Sequence, residues 1–255
     1  MIPIKNSYEV EQMRRACRIA ARVLDRVVNL VVPGVNTYDL DQAGKRYIRE
    51  SGATSACHNF QNGNRIYPGY ICVSVNDEVV HGIGSLRRTI RSGDVVSVDV
   101  VISYNGFIGD NARTVMVGEV SAEVRHLVET TRDALGCAIS FARDGGRVGD
   151  ISHAVQTFVE SRGLSIVREF VGHGVGRSMH EAPQIPNHGR KGKGDRLRAG
   201  MTLAIEPMVN LGKHEVIVAD DGWTAVTLDG KPSAHFEHTV LITKNGPEIL
   251  TLPKK

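Results

Sequence analysis

Over the first thirty or so residues, apolar or small side chains fall at Met13, Ala16, Cys17, Ala20, Leu24, Val27, Val28 and Val31. Steps of three and four predict a helix with one buried face. Asn6 followed by Glu9 is a start signal, and Pro33-Gly34 a stop. A second helix is predicted from about Thr37, burying Leu40, Ala43, Tyr47 and Ile48 and ending at Ser51-Gly52. The polar stretch from His58 to Pro68 reads as a loop, Ile71 to Val75 as a strand and Asn76-Asp77 as a turn. The period then changes. A β-branched run from Val95 to Ile102 reaches a turn signal at Asn105-Gly106 and returns from Phe107 to Val117, which predicts a long β-hairpin.

After Val117 the pattern begins again. Shifting the apolar positions of the first helix by 111 gives Val124, Leu127, Val128, Thr131, Leu135, Ala138, Ile139 and Ala142, of which only Thr131 is not apolar. The same shift carries Asp39 onto Asp150, Leu40 onto Ile151, Ala43 onto Ala154, Tyr47 onto Phe158 and Gly52 onto Gly163. The sheet part repeats at a slightly different offset: Arg91-Ser92-Gly93 leads to Asp99, and Arg198-Ala199-Gly200 to Glu206, an acid predicted at the same step of its strand. Matched caps, breakers and acids favour internal duplication over a chance sharing of phase. The halves run from about 6 to 117 and from 118 to 250 of a single domain, 1–255. Each offers two helices and an antiparallel sheet, an α+β fold rather than an alternating parallel one. Side by side about an approximate two-fold, the sheets would have one face covered by four helices, and the acids would converge near the axis. The second half closes with turns at Asp221-Gly222, Asp229-Gly230 and Asn245-Gly246, and with one strand between Ser233 and Thr243 that carries Glu237 beside His238.

Composition changes this picture little. A chain of 255 residues can bury a full core, and a net charge of +3 gives no argument for nucleic acid. No apolar run approaches the ~18 residues of a membrane span. The first residues, MIPIKNSYEVEQ, lack the pattern of a signal peptide. Cys17, Cys57, Cys72 and Cys137 form no C-x-x-C pair, and Cys17 and Cys137 fall in helical apolar stripes. A reduced, cytoplasmic protein without structural disulfides is expected.

The candidate chemistry lies on the hairpin and its repeat. Asp99 and Asp110 occupy its two strands as opposite or diagonal neighbours. Strands disfavour Asp, and two buried anions repel. Unless the hairpin is an edge whose acids face water, the pair needs a shared proton, a basic partner or a metal. Between the second helix pair and Glu206 lies VGHGVGRSMHEAPQIPNHG, in which His173 sits between glycines that let backbone approach a ligand, and His180 follows. Asp99, Asp110, Glu206, Glu237 and His173 together make an oxygen-rich set with one nitrogen, suited to Mn, Fe, Co or Zn. Four carboxylates exceed what one ion needs; two ions ~3–4 Å apart, sharing carboxylates and a water, would neutralise them.

His81, Asp99, Asp110, His173, His180, Glu206 and Glu237 occur in the order and context seen in type I methionine aminopeptidases, and NDEVVHGI, DVVSVDV, GDNART, GHGVGRSMHE, IEPMVN and FEHT also resemble that family. The resemblance covers nearly the whole chain. The short link from His180 to Glu206 and the lack of an N-terminal zinc-binding extension match the short bacterial form. The resemblance implies the pita-bread fold and removal of initiator methionine from nascent proteins when the next residue is small. It implies two divalent ions (Co, Mn, Fe, Zn or Ni), with Asp110 and Glu237 bridging, Asp99 on one ion, and His173 and Glu206 on the other. Glu206 would shuttle the proton, His180 would hold the developing oxyanion, and His81 would contact substrate near the scissile amide. The walls of the methionine pocket would include Cys57, Phe60, Tyr67, Cys72, His81, Met179 and Trp223, with Cys72 a soft contact for the thioether.

Two departures stand out. The segment between Cys57 and Cys72 is several residues longer than the family's usual form, and Met179 stands where an aromatic residue is common. The basic loop Arg190 to Arg198, RKGKGDRLR, is either a solvated face or a contact for the ribosome, the partner that work on emerging chains implies. A monomer is expected. The rival readings are a proline-specific peptidase of the aminopeptidase P or prolidase kind, which usually carries a substantial N-terminal domain; a non-catalytic peptide-binding relative, which would typically lose ligand residues; and a metal-free creatinase-like amidinohydrolase.

Overall fold

Residues 2–252 are described by a computed structural model of the chain. Helix α1 spans Ser7–Val28 and is capped reciprocally, the Asn6 side chain accepting from the Glu9 N–H and the Glu9 side chain from the Asn6 N–H. It ends before Val31, since Pro33 disfavours helical backbone ahead of it; Leu30 and Val31 form a tighter turn on the carbonyls of Val27 and Val28. Helices α2 (Thr37–Glu50), α3 (Ala122–Ser140) and α4 (Val148–Glu160) follow where the periodicity places them. Tyr47 is only half-buried, its ring lying 3.6 Å beneath the Arg26 guanidinium. The halves repeat in backbone detail. Asn36 and Arg147, at the N-caps of α2 and α4, each make an isolated bridge, to Thr89 and Arg196, and Gly93 and Gly200 share φ values of 95° and 93°.

The hairpin pairs Val95–Tyr104 with Phe107–Met116 around Asn105-Gly106, both at positive φ as a two-residue turn of its twist requires. Phe107–Met116 then pairs with Glu237–Thr243, Ala112 opposite Glu237, and this joins the halves in one nine-stranded sheet. Thr202–Ile205, Val171–Gly174 and Glu181–Pro186 extend it on one side; Cys72–Val75 and Thr54–Ser55 line the other edge of Val95–Tyr104.

Strand alternation sorts the faces. On one, Leu203, Ile205, Val240 and Ile242 pack with Leu127 and Leu135 of α3. On that face too α1 lies so close that a Cβ on Gly109 would sit 2.5 Å from the Ala16 carbonyl oxygen. On the other, Cys72, Asp99, Ala112 and Glu237 form one register row across four strands, with Asp110 two residues along. The helices therefore back the sheet, and the acids line its open face at the seam between halves.

Three segments differ from the sequence reading. Ser233 to Thr243 is two strands, Ser233–His235 and Glu237–Thr243, because the chain leaves a small sheet (with Met208–Asn210 and Ser165–Ile166) for the main one at Phe236. Glu206 is not within its strand but follows Thr202–Ile205, where Pro207 cannot donate to the ladder. Glu206 and Glu237 thus sit where two segments cross between sheets. The polar stretch 58–68 contains a short ribbon, Gln61–Asn62 paired with Arg65–Ile66, around Gly63 at φ 60°.

Candidate active site and metal centre

A cavity of about 680 Å³ opens on the face away from α1 and α3, and every residue singled out above for the site lines it. Its floor holds Asp99, Asp110, His173, Glu206 and Glu237, drawn from both halves. Ligand atoms of Asp110, His173 and Glu237 lie within 4.8 Å of one another. His173 Nδ1 donates to the Gly174 carbonyl at 2.9 Å, which leaves the Nε2 lone pair facing inward, 3.9 Å from Asp110 Oδ2 and 3.4 Å from Glu206 Oε1. The glycines beside His173 serve strand packing rather than a ligand. A Cβ at Gly172 would lie 2.5 Å from the Ala204 carbonyl oxygen, and one at Gly174 2.3 Å from that of Ala182.

Burial dominates the electrostatics. It pushes Asp99 up to about 6 and Glu206 up to about 8, and raises Asp110 and Glu237 well above the ordinary carboxylate range, each of these two further raised by neighbouring carboxylates. Desolvation lowers His173 and His81 to about 4 and lowers His180 as well, so the imidazoles are neutral near pH 7. Asp99 Oδ1 and Glu237 Oε1 are buried without a hydrogen-bond partner. Arg65, at the rim, is the only Lys or Arg among the described lining residues. Among the described residues no lysine or arginine pairs with these four acids; only the imidazoles of His173 and His235 approach them. Unpaired carboxylate oxygens around one neutral imidazole nitrogen are the donor set of a hard or borderline divalent cation.

His180 stands beside this floor, its ring centroid 4.6 Å from that of His173. The turn before it is held by Glu181, which accepts from the N–H groups of Arg177 and Ser178 at 2.9 and 3.3 Å and pairs with Lys5 Nζ at 2.5 Å. Lys5 is itself fixed, its N–H donating to the Gly200 carbonyl at 2.8 Å. His81 occupies a left-handed backbone position, φ 61°, uncommon for a non-glycine residue. Gly82 holds it there. Its N–H donates to Ser74 Oγ, its carbonyl accepts from Val73, and a Cβ would lie 2.3 Å from the Val73 carbonyl oxygen.

Residues 11–244 match metallopeptidase family M24. The chain belongs to this family. The methionine aminopeptidase of Clostridium perfringens is 46% identical over 255 residues, with 100% of each chain covered. Methionine aminopeptidase 1 of Bacillus subtilis is 47% identical over 251 residues, 98% of this chain and 99% of that one. The crystal structure of methionine aminopeptidase from Thermotoga maritima superposes with a TM-score of 0.94 at 47% identity, covering 98% of this chain and 99% of that one. The four helices and curled antiparallel sheets are the α+β pita-bread fold of this M24 family. As a family M24 metallopeptidase the chain is a hydrolase that uses divalent metal, and Asp110, His173 and Glu237 are placed to bind it.

The apolar wall of this M24 site is aromatic and sulfur-rich. Trp223 meets Tyr67 and Phe60 edge-on at 5.4 and 6.4 Å, and the Tyr67 hydroxyl donates to the Gly82 carbonyl at 2.8 Å. Cys57 and Cys72 are free thiols in mutual contact. Phe60 and Tyr67, from the segment between them, both line the cavity. Those two residues are tied backbone to backbone, the Tyr67 N–H donating to the Phe60 carbonyl at 2.9 Å, and the intervening residues project beyond them as the ribbon. Arg65 on that ribbon donates to the Gly222 carbonyl at 2.8 Å across the cavity mouth. Phe170 and His235 are among the lining residues that the sequence reading does not place in the site. Phe170, edge-on to His81 at 5.4 Å, precedes its strand and carries no distinguishing pattern. His235 did have a signal, since it lies two residues before Glu237 in an alternating segment.

Proposed function

We infer that the chain is a methionine aminopeptidase, hydrolysing the first peptide bond of nascent proteins and peptides in which methionine precedes a small residue. The observation that carries this is a floor of carboxylates and neutral imidazoles beneath a wall of Cys57, Cys72, Phe60, Tyr67, Met179 and Trp223. The floor takes Asp99 and Asp110 from one half and His173, Glu206 and Glu237 from the other, so the whole of 1–255 acts as one catalytic domain of two duplicated halves.

Two divalent ions, of Co, Mn, Fe, Zn or Ni, would be held with Asp110 and Glu237 shared, Asp99 on one, and His173 and Glu206 on the other. When bound, such ions supply an acidified water and polarise the scissile carbonyl. The residues do the rest. Glu206, its carboxylate on the cavity floor 3.4 Å from His173 Nε2, takes a proton from the attacking water and returns it to the leaving amine. His180, neutral, donates a hydrogen bond to the oxygen that gains charge. His81 contacts the substrate near the scissile amide. The sulfurs of Cys57 and Cys72 meet the thioether, and the aromatic wall excludes water.

The test compares a Met-Ala-Ser peptide with an X-Pro peptide, using metal-free, Mn-loaded and Co-loaded protein. Methionine release that needs metal, with the X-Pro peptide intact, is expected. Cleavage only at X-Pro would move the chain to the proline-specific branch, and peptide binding without cleavage in any metal form to a binding role.

The protein is further inferred to be a cytoplasmic monomer that meets its substrates at the ribosome. The loop 190–198 supports this reading. Its backbone is pinned to the start of α4, Gly192 N–H donating to Asp150 Oδ1 at 2.8 Å, while Arg190, Lys191, Lys193, Arg196 and Arg198 stay exposed. Reversing these charges is expected to abolish cosedimentation with ribosomes at low salt; unchanged cosedimentation would remove the idea.

A further inference from the structure

Glu206 lies between two imidazoles. His173 Nε2 is 3.4 Å from its Oε1, and His235 Nε2 is 3.5 Å from its Oε2. His235 is 2% exposed, and its Nε2 is buried with no hydrogen-bond partner. Buried polar atoms are seldom left so, and the Glu206 carboxylate is the acid within ion-pairing distance of this one.

The backbones on both sides are fixed. Ser97 and Thr114 hydroxyls lie 2.7 Å apart; Thr114 Oγ1 accepts the His235 N–H at 2.9 Å and donates to the His235 carbonyl at 2.8 Å. Thr114's proton is thus committed to His235, and Ser97 must be the donor in the first contact. Thr114 stands on the hairpin strand that carries Asp110, so the position of His235 is referred to the first half of the molecule. The Glu206 main chain is held from the other side, Asn187 Nδ2 donating to its carbonyl at 2.9 Å. Only side-chain torsions separate Nε2 from Oε2, and a shift of about 0.5 Å brings them to hydrogen-bond distance.

We propose that His235 is a positioning residue for Glu206, its Nε2–H donating to Oε2 in the working enzyme and leaving Oε1, on the His173 side, turned to the cavity floor. One carboxylate oxygen is thereby fixed and the other kept for ligation and proton transfer. Without the contact Glu206 can rotate and exchange its oxygens. The proposal rests on the role given to Glu206 above.

The test uses Co(II)-loaded full-length protein in four forms: wild type, Glu206→Gln, His235→Ala and His235→Gln. For each, kcat and KM on Met-Ala-Ser are measured, with the visible Co(II) spectrum and a thermal melt. His235→Ala is expected to lower kcat by about tenfold or more while KM stays within about twofold, and to alter the Co(II) spectrum. His235→Gln, whose side-chain amide N–H reaches the same oxygen, is expected to recover most of the kcat and the wild-type spectrum. An Ala variant with unchanged kcat and spectrum overturns the proposal. So does a Gln variant as poor as Ala when both melt like wild type. A Glu206→Gln variant that keeps full activity overturns the role of Glu206 itself, and the proposal with it; a dead Glu206→Gln beside a fully active His235→Ala overturns the proposal alone.

Discussion

Asp110→Asn is expected to abolish methionine release while leaving the metal-free protein at least as stable as wild type. Asp110 is 3% exposed and stands with His173 and Glu237 in the tightest ligand group among the described residues. Asn keeps the shape of the side chain but loses its charge and one ligand oxygen. Lewis-acid and water activation at such a site contribute several kcal/mol, so a fall of about 10³-fold in kcat/KM, ~4 kcal/mol, is the expected size. Stability should move the other way, since burial first and neighbouring carboxylates second disfavour a charge at Asp110, and Asn carries none. Assays of Mn-loaded protein, calorimetric metal titration and melts of the chelated protein check the three parts. An Asn variant retaining more than about a tenth of wild-type kcat/KM, a far smaller loss than that expected for a metal ligand, would remove Asp110 from the centre.

Metal-free protein is expected to lose stability as pH rises from about 7 to 8.5, and saturating Mn to remove that loss. Glu206 is raised from 4.5 to about 8, and Asp110 and Glu237 are raised as well. A carboxyl with a raised folded-state value contributes stability that is complete below its unfolded value and lost as pH climbs through the folded one, because the folded chain then binds more protons than the unfolded chain. Below about 6.5 the buried histidines pull in the opposite sense. His81 and His173, lowered to about 4, are neutral in the fold where the unfolded chain would protonate them. The clean window is therefore above neutrality. One extra bound proton is worth about 1.4 kcal/mol per pH unit, so a decline of ~1–3 kcal/mol, or about 2–10 °C in melting temperature, is the expected scale. Metal binding displaces those protons and should leave a flat or rising profile. A chelated protein whose melting temperature holds constant or rises across the window would contradict the burial of these acids as unpaired groups.

Much of this was legible in residue order because the site is built on strands. Alternation and an Asn-Gly turn are enough to put Asp99 and Asp110 on one face of a hairpin, and the repeat at 111 carries the helices of the first half onto those of the second. What was not legible depends on contacts distant in sequence. The break at Phe236 arises because two sheets compete for one segment, so neither the sheet switch nor the pairing of His235 with Glu206 is visible locally. The packing purpose of Gly172 and Gly174 is hidden for the same reason: the carbonyls they make room for, of Ala204 and Ala182, lie on the neighbouring strands Thr202–Ile205 and Glu181–Pro186. The ribbon at 61–66 has a local turn at Gly63, but its contact with Gly222 comes from a segment that no short window includes.

The seam between halves also bears on how the enzyme matures. Its first two acids sit on a hairpin closed by neighbouring residues, a structure that forms early and fast. The other acids and the imidazole of the floor arrive from positions 173, 206 and 237, and Lys5, which clamps the His180 turn, must find Gly200 and Glu181 across most of the chain. Such long loops close late. A growing chain is therefore expected to carry half a centre through most of its synthesis, with too few donors to hold metal strongly. Activity is expected to appear only once both halves have met, so tight metal binding would serve as a direct readout of finished folding.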